Sequence, residues 1–304
     1  MLASGRPALD HGREALRAPI RRGSRAVLEF ADLYFEVDPE VGGRIVAARV
    51  NGRDVLAGPD VHPENYGSTF WTSPQNGEHG WGWPPVVAVD SAPFHLREQG
   101  SGFELNGPVV RGEGGPAVEG LRVTKRFAPD IERRALHVEY VLQNDGARPL
   151  RLAPWEITRV AAGGLTFYAG PTAPTGDLPL EFSTEAGCYW FRHSGDWPPH
   201  GKVFGDGEGW VAHLSREGAM LVKTFRDLAP SEFAPGEAEI EIYASPQPTP
   251  AAAYVEVENQ GSFSSIPAGE SSSWSVVWYL RQLPVTVPQE PSQALVDWVL
   301  ETIQ

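Results

Sequence analysis

The chain has almost no cysteine: Cys188 is the only one. One thiol can form neither an intramolecular disulfide nor a thiolate metal cage. No stretch approaches the roughly 20 apolar residues that cross a bilayer. No apolar segment of the signal-peptide type follows the N-terminal arginines. These absences predict a soluble, cytoplasmic protein that has no membrane partner.

Positive charge is also scarce. The 304 residues include 25 Lys and Arg against 39 Asp and Glu, which gives a net charge of −14. Nucleic acid and anionic membrane surfaces would repel such a chain unless a local basic patch intervened. We therefore expect neither as a partner, and the composition leaves the oligomeric state open.

Helical patterns are few, whereas turn residues are abundant, with 33 Gly and 28 Pro. Both residue types interrupt helices and mark turns. Short β-rich runs recur at 33–37, 44–50 and 136–142, and the last alternates apolar with mixed positions as a half-buried strand does. Asn51-Gly52 lies between two such runs and predicts a type I′ hairpin turn, because both residues tolerate positive φ.

A helix is indicated only near the C-terminus. Pro291 is placed in its first turn, and the spacing of Leu295, Trp298 and Val299 fits one apolar face. The missing crossover helices exclude a layered parallel sheet, and ten or more hairpin-linked strands favour a two-layer sandwich. No change of composition divides the chain. We predict an irregular arm over residues 1–24 and a single domain over residues 25–304.

Three segments carry a resemblance to a known family. The first, residues 41–52, has a glycine pair before a strand and a tight turn. The second, residues 136–154, is a strand that ends in Asn-Asp-Gly and continues through Pro149. The third, residues 254–280, combines an acidic strand, a proline-glycine turn and a closing strand. In this order they resemble the galactose-mutarotase-like superfamily, which includes relatives of the aldose 1-epimerases.

The resemblance covers most of residues 26–284 and implies an all-β fold. The expected architecture is a β-supersandwich of two large, mainly antiparallel sheets with a short C-terminal helix. Residues 70–75, 81–85 and 223–225 further resemble a bacterial branch of the superfamily. A small carbohydrate is the ligand that the resemblance implies, but a fold alone does not establish an activity.

Glutamates supply the candidate base. The family opens and closes a sugar hemiacetal with a glutamate base and histidines, and this chemistry needs one proton removed and one delivered. Glu256 and Glu258 are two apart in a strand and share a face with Tyr254. Glu239 and Glu241 form a second such pair on a probable neighbouring strand. The alternative is that these carboxylates belong to a solvated outer face.

The second proton carrier is harder to place. Where the family has a histidine before an aromatic pair, residues 153–159 contain none, and Trp155 or Glu156 occupies that position. His79 loosely resembles the other family histidine. The catalytic candidates are therefore Glu256, Glu258, His79 and Glu156.

Tryptophans predict the binding surface. Trp71, Trp81 and Trp83 fall in a stretch rich in glycine, proline and polar residues, and further aromatics fall in turn-rich segments. Aromatic rings with polar neighbours suit a pyranose, which offers an apolar face and a rim of hydroxyls. The alternative is that these rings fill a secondary core. The substrate-binding candidates are Trp71, Gln75, Asn76, Trp81, Trp83, Trp155, Arg159, Trp190 and Tyr254, with Trp197, His193 and His200 as weaker ones.

No cofactor and no metal site is predicted, and a calcium ion held by carboxylates from several loops stays an open alternative. The remaining histidines lack the spacing of a zinc site, and the glycine-rich residues 112–120 precede no helix that could hold a phosphate. Two functions stay open: a sugar epimerase or isomerase with a glutamate base, and a non-catalytic carbohydrate-binding protein that has lost the epimerase histidine. A lyase or hydrolase on the same scaffold is a weaker third.

Overall fold

The computed structural model describes residues 19–177, 181–193, 201–244 and 252–304. Within them, strands form two large sheets that pack face to face, and the central pairings are antiparallel. The predicted all-β supersandwich of the galactose-mutarotase-like kind is therefore confirmed.

The first sheet contains twelve strands of the described chain. They are β1 (Ile20–Arg22), β2 (Arg25–Phe30), β3 (Leu33–Asp38), β4 (Arg44–Val50), β5 (Arg53–Asp54), β6 (Ser68–Ser73), β11 (Leu150–Ala161), β13 (Thr175–Gly176), β16 (Gly201–Gly205), β19 (Ile240–Ala244), β20 (Tyr254–Gln260) and β21 (Ser264–Ile266). The spatial order is β1-β2-β3-β4-β6-β11-β20-β19-β16-β13, with β5 beside β4 and β21 beside β11.

The second sheet contains ten strands of the described chain. They are β7 (His95–Gln99), β8 (Gly102–Val109), β9 (Leu121–Asp130), β10 (Ala135–Asn144), β12 (Gly164–Ala169), β14 (Glu181–Ser183), β15 (Cys188–His193), β17 (Trp210–Leu214), β18 (Ala219–Thr224) and β22 (Ser271–Gln282). The spatial order is β14-β15-β12-β17-β18-β22-β10-β9-β8-β7.

Local sequence signals account for several of these elements. Asn51 and Gly52 have positive φ values of 51° and 75°, and they join β4 to β5 as the hairpin prediction requires. In β10 the positions of Leu136, Val138 and Tyr140 are buried, while the residues between them are partly exposed. The buried side of β10 meets the first sheet, where Tyr140 stacks on Phe70 with ring centroids 4.4 Å apart.

Two helices are present in the described chain, α1 (Val87–Asp90) and α2 (Gln293–Ile303). The C-terminal helix α2 starts later than predicted, because the Ser292 hydroxyl caps it by accepting a hydrogen bond from the Leu295 amide at 3.4 Å. Pro291 therefore precedes the cap instead of lying in the first turn. Leu295 and Val299 pack into a hydrophobic cluster of the second sheet.

The predicted arm is partly wrong. Strand β1 lies inside residues 1–24, because a turn with Gly23 at φ 65° folds it back onto β2. Ile20 pairs with Val27 in this ladder. Residues 1–18 of the arm lie outside the described part of the chain. Among the described residues, no helix is both long and apolar enough to cross a bilayer.

Lys125 is buried between the sheets, and no carboxylate of the described residues lies at ion-pair distance from it. The residue is only 2% exposed, and its ammonium lies 5.3 Å from the ring centre of Phe94, 5.8 Å from that of Phe70 and 5.9 Å from that of Tyr140. The Gly43 carbonyl accepts a long hydrogen bond from it at 3.4 Å. Burial lowers the pKa of Lys125 to about 7.

Lys125→Met is expected to stabilise the protein at neutral pH. Because burial lowers the folded-state pKa to about 7, the unfolded chain binds a proton that the folded chain lacks between about pH 7 and 10.5, and stability should rise with pH over that window. The free energy of unfolding of Lys125→Met at pH 7 should exceed that of the wild type by at most about 4 kcal/mol, at about 1.36 kcal/mol per pKa unit. Urea unfolding of both proteins at pH 7, 8.5 and 10 (roughly the window of the linkage) measures this difference. If the free energy of unfolding changed with pH equally in both proteins, the lowered pKa of Lys125 would be contradicted.

Candidate functional site

The central strands of the first sheet align charged and aromatic side chains on one face. Directly opposed residues in an antiparallel ladder point to the same side. Arg159 of β11 is opposite Glu256 of β20, and Tyr243 of β19 is opposite Glu256 on one side and Lys202 of β16 on the other. The register thus gathers residues that are distant in the chain.

This face points away from the second sheet. Successive side chains of a strand alternate between faces, and Glu156, next to Trp155, contacts second-sheet residues. Its carboxylate accepts hydrogen bonds from Tyr140 and from the Trp278 indole, and it pairs with Lys223 at 3.4 Å. The face that carries Trp155 is therefore the outer one.

A pocket of about 240 Å³ opens on this outer face. Its lining combines aromatic rings, amides and charged groups, which is the mixture that a sugar-binding site needs. The lining residues are Asn65, Trp71, Gln75, Trp83, Trp155, Arg159, Lys202, Tyr243, Tyr254 and Glu256.

Tryptophan rings in edge-to-face contact build one wall. The Trp71 ring lies 5.5 Å from that of Trp155, 5.7 Å from that of Trp81 and 6.3 Å from that of Trp83. The indole of Trp71 donates to Asp90 at 2.7 Å, and the indole of Trp81 donates to the Thr72 carbonyl at 2.6 Å. These contacts hold the rings in fixed orientations.

An Arg159–Glu256 ion pair lies beside this wall. The Arg159 Nε donates to Glu256 Oε1 at 2.8 Å, and its Nη1 donates to the Thr69 hydroxyl at 3.1 Å. The guanidinium is also 5.5 Å from the ring centre of Trp71. Arg159 is 1% exposed and Glu256 is 8% exposed, so the arginine orients a carboxylate whose open side is the pocket.

Lys202 extends from β16 into the pocket and bridges two buried carboxylates. Its Nζ contacts Glu241 and lies 3.1 Å from Glu258 Oε2. The same Glu258 oxygen accepts a hydrogen bond from the Trp155 indole at 2.7 Å. Both glutamates are fully buried, whereas the Lys202 side chain is 23% exposed. Lys202 therefore separates Glu258 and Glu241 from the pocket.

These three groups share one excess negative charge when all are ionised. Burial raises the pKa of Glu258 and the pKa of Glu241, while the two carboxylates raise the pKa of Lys202 against its own desolvation. All three directions favour a charged Lys202 and disfavour the state in which both glutamates are ionised.

No family model and no curated protein sequence matches the chain. Several solved structures are similar to the chain in fold. A galactose mutarotase-like protein from Lactobacillus casei has a TM-score of 0.58 at 11% identity, over 84% of this chain and all of that one. An Escherichia coli K12 protein, provisionally an aldose 1-epimerase, has a TM-score of 0.58 at 13% identity, over 84% of this chain and 98% of that one. The chain has the galactose mutarotase-like fold.

A third similar structure is longer. The chain covers 47% of a TPR-domain containing protein from Parabacteroides distasonis, with 86% of this chain aligned, a TM-score of 0.59 and 14% identity. The mutarotase-like fold thus corresponds to about half of that protein. At these identities the likeness concerns the fold alone.

The pocket of this mutarotase-like fold brings together seven of the residues singled out in the sequence. Two of them have a different setting from the one predicted: Trp71 and Trp155 lie in strands β6 and β11, not in loops, and both are largely buried. Their rings are buried because residues 74–85 cover the sheet at this point. The seven are Trp71, Gln75, Trp83, Trp155, Arg159, Tyr254 and Glu256.

Four predicted residues lie close to the pocket without lining it. Glu258 is beneath Lys202. Trp81 supports Trp71 from behind. Asn76 is exposed on the covering loop, and His79 on the same loop contacts Phe263, with ring centroids 5.8 Å apart.

Two predicted site residues are placed elsewhere, and these assignments need correction. Glu156 points into the core between the sheets, because it is one position from Trp155 and strand side chains alternate. Trp190 lies in β15 of the second sheet, where it stacks on Phe167 at 4.2 Å and donates to the Glu185 carbonyl at 2.7 Å. Trp197 and His200 lie outside the described residues.

Sequence reasoning missed Asn65, Lys202 and Tyr243. Asn65 donates to the Tyr254 hydroxyl at 3.0 Å and so fixes one rim of the pocket. The scarcity of lysine, with only three in the chain, was the one sequence signal for Lys202, and only the structure shows that Lys125 and Lys223 are buried and Lys202 is half-buried. Tyr243 had no signal beyond its place in a strand.

Proposed function

We propose that the protein binds a small, uncharged carbohydrate in this pocket and interconverts its anomers, with Glu256 as the general base. One observation carries the proposal: an oriented carboxylate opens into a tryptophan-walled pocket on a mutarotase-like fold. The charged groups of the pocket are already paired with one another, which favours a neutral ligand over an anion.

The rings and the polar rim match the two surfaces of a pyranose. Trp71 can pack against its C–H face, since aromatic rings bind apolar surface in fixed orientations. Trp155 supports this wall, and the Lys202 ammonium lies 4.7 Å from its ring centre. Asn65, Gln75 and Tyr254 carry amide and hydroxyl groups that can bond to sugar hydroxyls. A pocket with apolar walls and a few convergent polar groups is the usual form of a small-molecule site.

Ring opening would use Glu256 and Lys202. Glu256 takes the proton of the anomeric hydroxyl as the bond between the anomeric carbon and the ring oxygen breaks. The Lys202 ammonium stabilises the negative charge that develops on the ring oxygen, and a solvent water supplies the proton to that oxygen. Glu256 then gives its proton to the hydroxide that remains, and the reverse steps close the ring on the other face.

A second candidate is a carbohydrate-binding protein without catalysis. It is favoured by the lining of the pocket, which includes no histidine among the described residues. Tryptophan stacking and hydroxyl recognition would be the same, but the ring oxygen would not be protonated and the ring would stay closed.

Proton NMR of reducing sugars separates the two candidates. We expect purified protein to accelerate anomer exchange of at least one neutral hexose or pentose above the buffer rate, because Glu256 and Lys202 act on both oxygens of the hemiacetal. Line broadening without faster exchange would favour the binding protein. Neither effect across glucose, galactose, mannose, xylose and arabinose would reject both candidates for simple free sugars.

A further inference from the structure

Trp83 differs from the other rings of the pocket by its exposure. It is 67% exposed, whereas Trp71 is 8% and Trp155 is 2% exposed. Its ring is nevertheless oriented by the edge-to-face contact with Trp71. Exposing a whole indole costs hydrophobic free energy that burial would recover, so an ordered, exposed tryptophan at the mouth of a pocket indicates a ligand contact.

The covering loop carries polar groups close to this ring in the chain. The Gly82 amide donates to the Gln75 carbonyl at 2.8 Å, and this bond closes a loop with Asn76 next to one end and Trp83 next to the other. Gly80 packs so tightly on the Asn76 backbone that an added Cβ would lie 2.4 Å from its carbonyl carbon. Asn76 and Glu78 are both exposed on this loop. The same short loop therefore supplies a ring at the mouth of the pocket and exposed polar groups.

The size of the pocket limits what it can enclose. Its volume of about 240 Å³ is below the roughly 300–1,000 Å³ of pockets that enclose drug-sized ligands. One sugar ring fills such a space, and a second ring joined to it would have to leave through the mouth past Trp83.

We propose that Trp83 and Asn76 form a second sugar subsite, so that the preferred ligand is a reducing disaccharide or longer glycan and not a monosaccharide. The reducing unit occupies the pocket between Glu256 and Lys202, and the next unit stacks on the exposed face of Trp83. This inference rests on the proposed function, since the inner pocket must first bind a sugar.

Calorimetric titrations of matched sugars test the subsite. Glucose is compared with maltose, cellobiose and lactose, whose reducing unit is glucose, and mannose is compared with mannobiose, on the wild type, Trp83→Ala and Trp83→Phe. We expect at least one disaccharide to bind about 10-fold more tightly than the monosaccharide of its reducing unit, or about 1.4 kcal/mol. Trp83→Ala should weaken binding of that disaccharide about 5-fold more than binding of the monosaccharide, because the inner unit keeps the other contacts of the pocket while the outer unit loses its stacking ring. Trp83→Phe retains a ring and should keep most of the gain.

The results separate failure of the subsite from failure of the proposed function. Monosaccharide binding without a disaccharide gain overturns the subsite and leaves the proposed function intact. An equal loss for both sugar classes in Trp83→Ala makes Trp83 part of the inner pocket and also overturns the subsite. If no sugar binds, both fail. A change in molar mass on light scattering of Trp83→Ala would show that a second copy covers the ring instead.

Discussion

Glu256→Gln should slow catalysed anomer exchange by at least about 100-fold while sugar binding stays measurable. Glutamine keeps the size of the side chain and can still accept from Arg159, whose Nε lies 2.8 Å from Glu256 Oε1. It cannot take up the proton of the anomeric hydroxyl. Exchange NMR measures the rate, and a titration with the same sugar measures binding.

Glu258→Gln separates the two glutamates of β20. Glu258 has no direct opening to the pocket and acts through Lys202, so we expect a smaller loss, on the order of 10-fold, and a changed pH profile of the exchange rate. Glu270→Gln, on an exposed turn, is the matched control and should leave the rate unchanged. If Glu258→Gln lowered the exchange rate more than Glu256→Gln, Glu258 would be the base. Unchanged turnover in both variants would exclude a base on β20.

Glu156→Ala should lower the free energy of unfolding by about 3–5 kcal/mol. Glu156 and Lys223 are both fully buried, with 3.4 Å between their charged atoms. Without the carboxylate, Lys223 keeps only the Val257 carbonyl at 2.8 Å and the Thr158 hydroxyl at 3.1 Å. Burial already lowers the pKa of Lys223 to about 8 in spite of Glu156. Urea unfolding at pH 7 (a pH at which the lysine is mainly charged) measures the loss.

A double variant distinguishes an unpaired charge from lost packing. Glu156→Gln combined with Lys223→Met removes both charges and keeps similar volumes, so it should recover most of the stability that Lys223→Met alone loses. If the losses of stability in the two single variants simply added in the double variant, the ion-pair explanation would be contradicted. Exchange NMR on Glu156→Gln also tests the earlier hypothesis that Glu156 carries a proton, and the position of Glu156 between the sheets predicts an unchanged rate.

The sequence of β11 does not indicate which of its residues face the pocket. Trp155 and Glu156 are adjacent, and both fit the position of the missing family histidine. Strand alternation puts them on opposite faces, but both faces of β11 are buried from Leu152 to Val160. Because the two faces are equally buried, no polar-apolar pattern indicates which residue meets the ligand.

Lys202 shows a second limit. It is 54 positions before Glu256, and it reaches the pocket only because β16 pairs with β19 and β19 pairs with β20. The order β6-β11-β20-β19-β16 is set by long-range contacts between strands. Nothing in residues 201–205 indicates these partners.

Elements with local causes could be predicted from the amino-acid sequence. The Asn51-Gly52 turn, the alternation of β10, the C-terminal helix and the all-β class follow from residue propensity and period. Residue type also identified Trp71, Arg159 and Glu256 as candidates. Strand pairing places these residues in one pocket with Lys202 and leaves Glu156 and Trp190 outside it. The reason is that strand pairing and the choice of face depend on contacts between distant segments, which a local pattern does not encode.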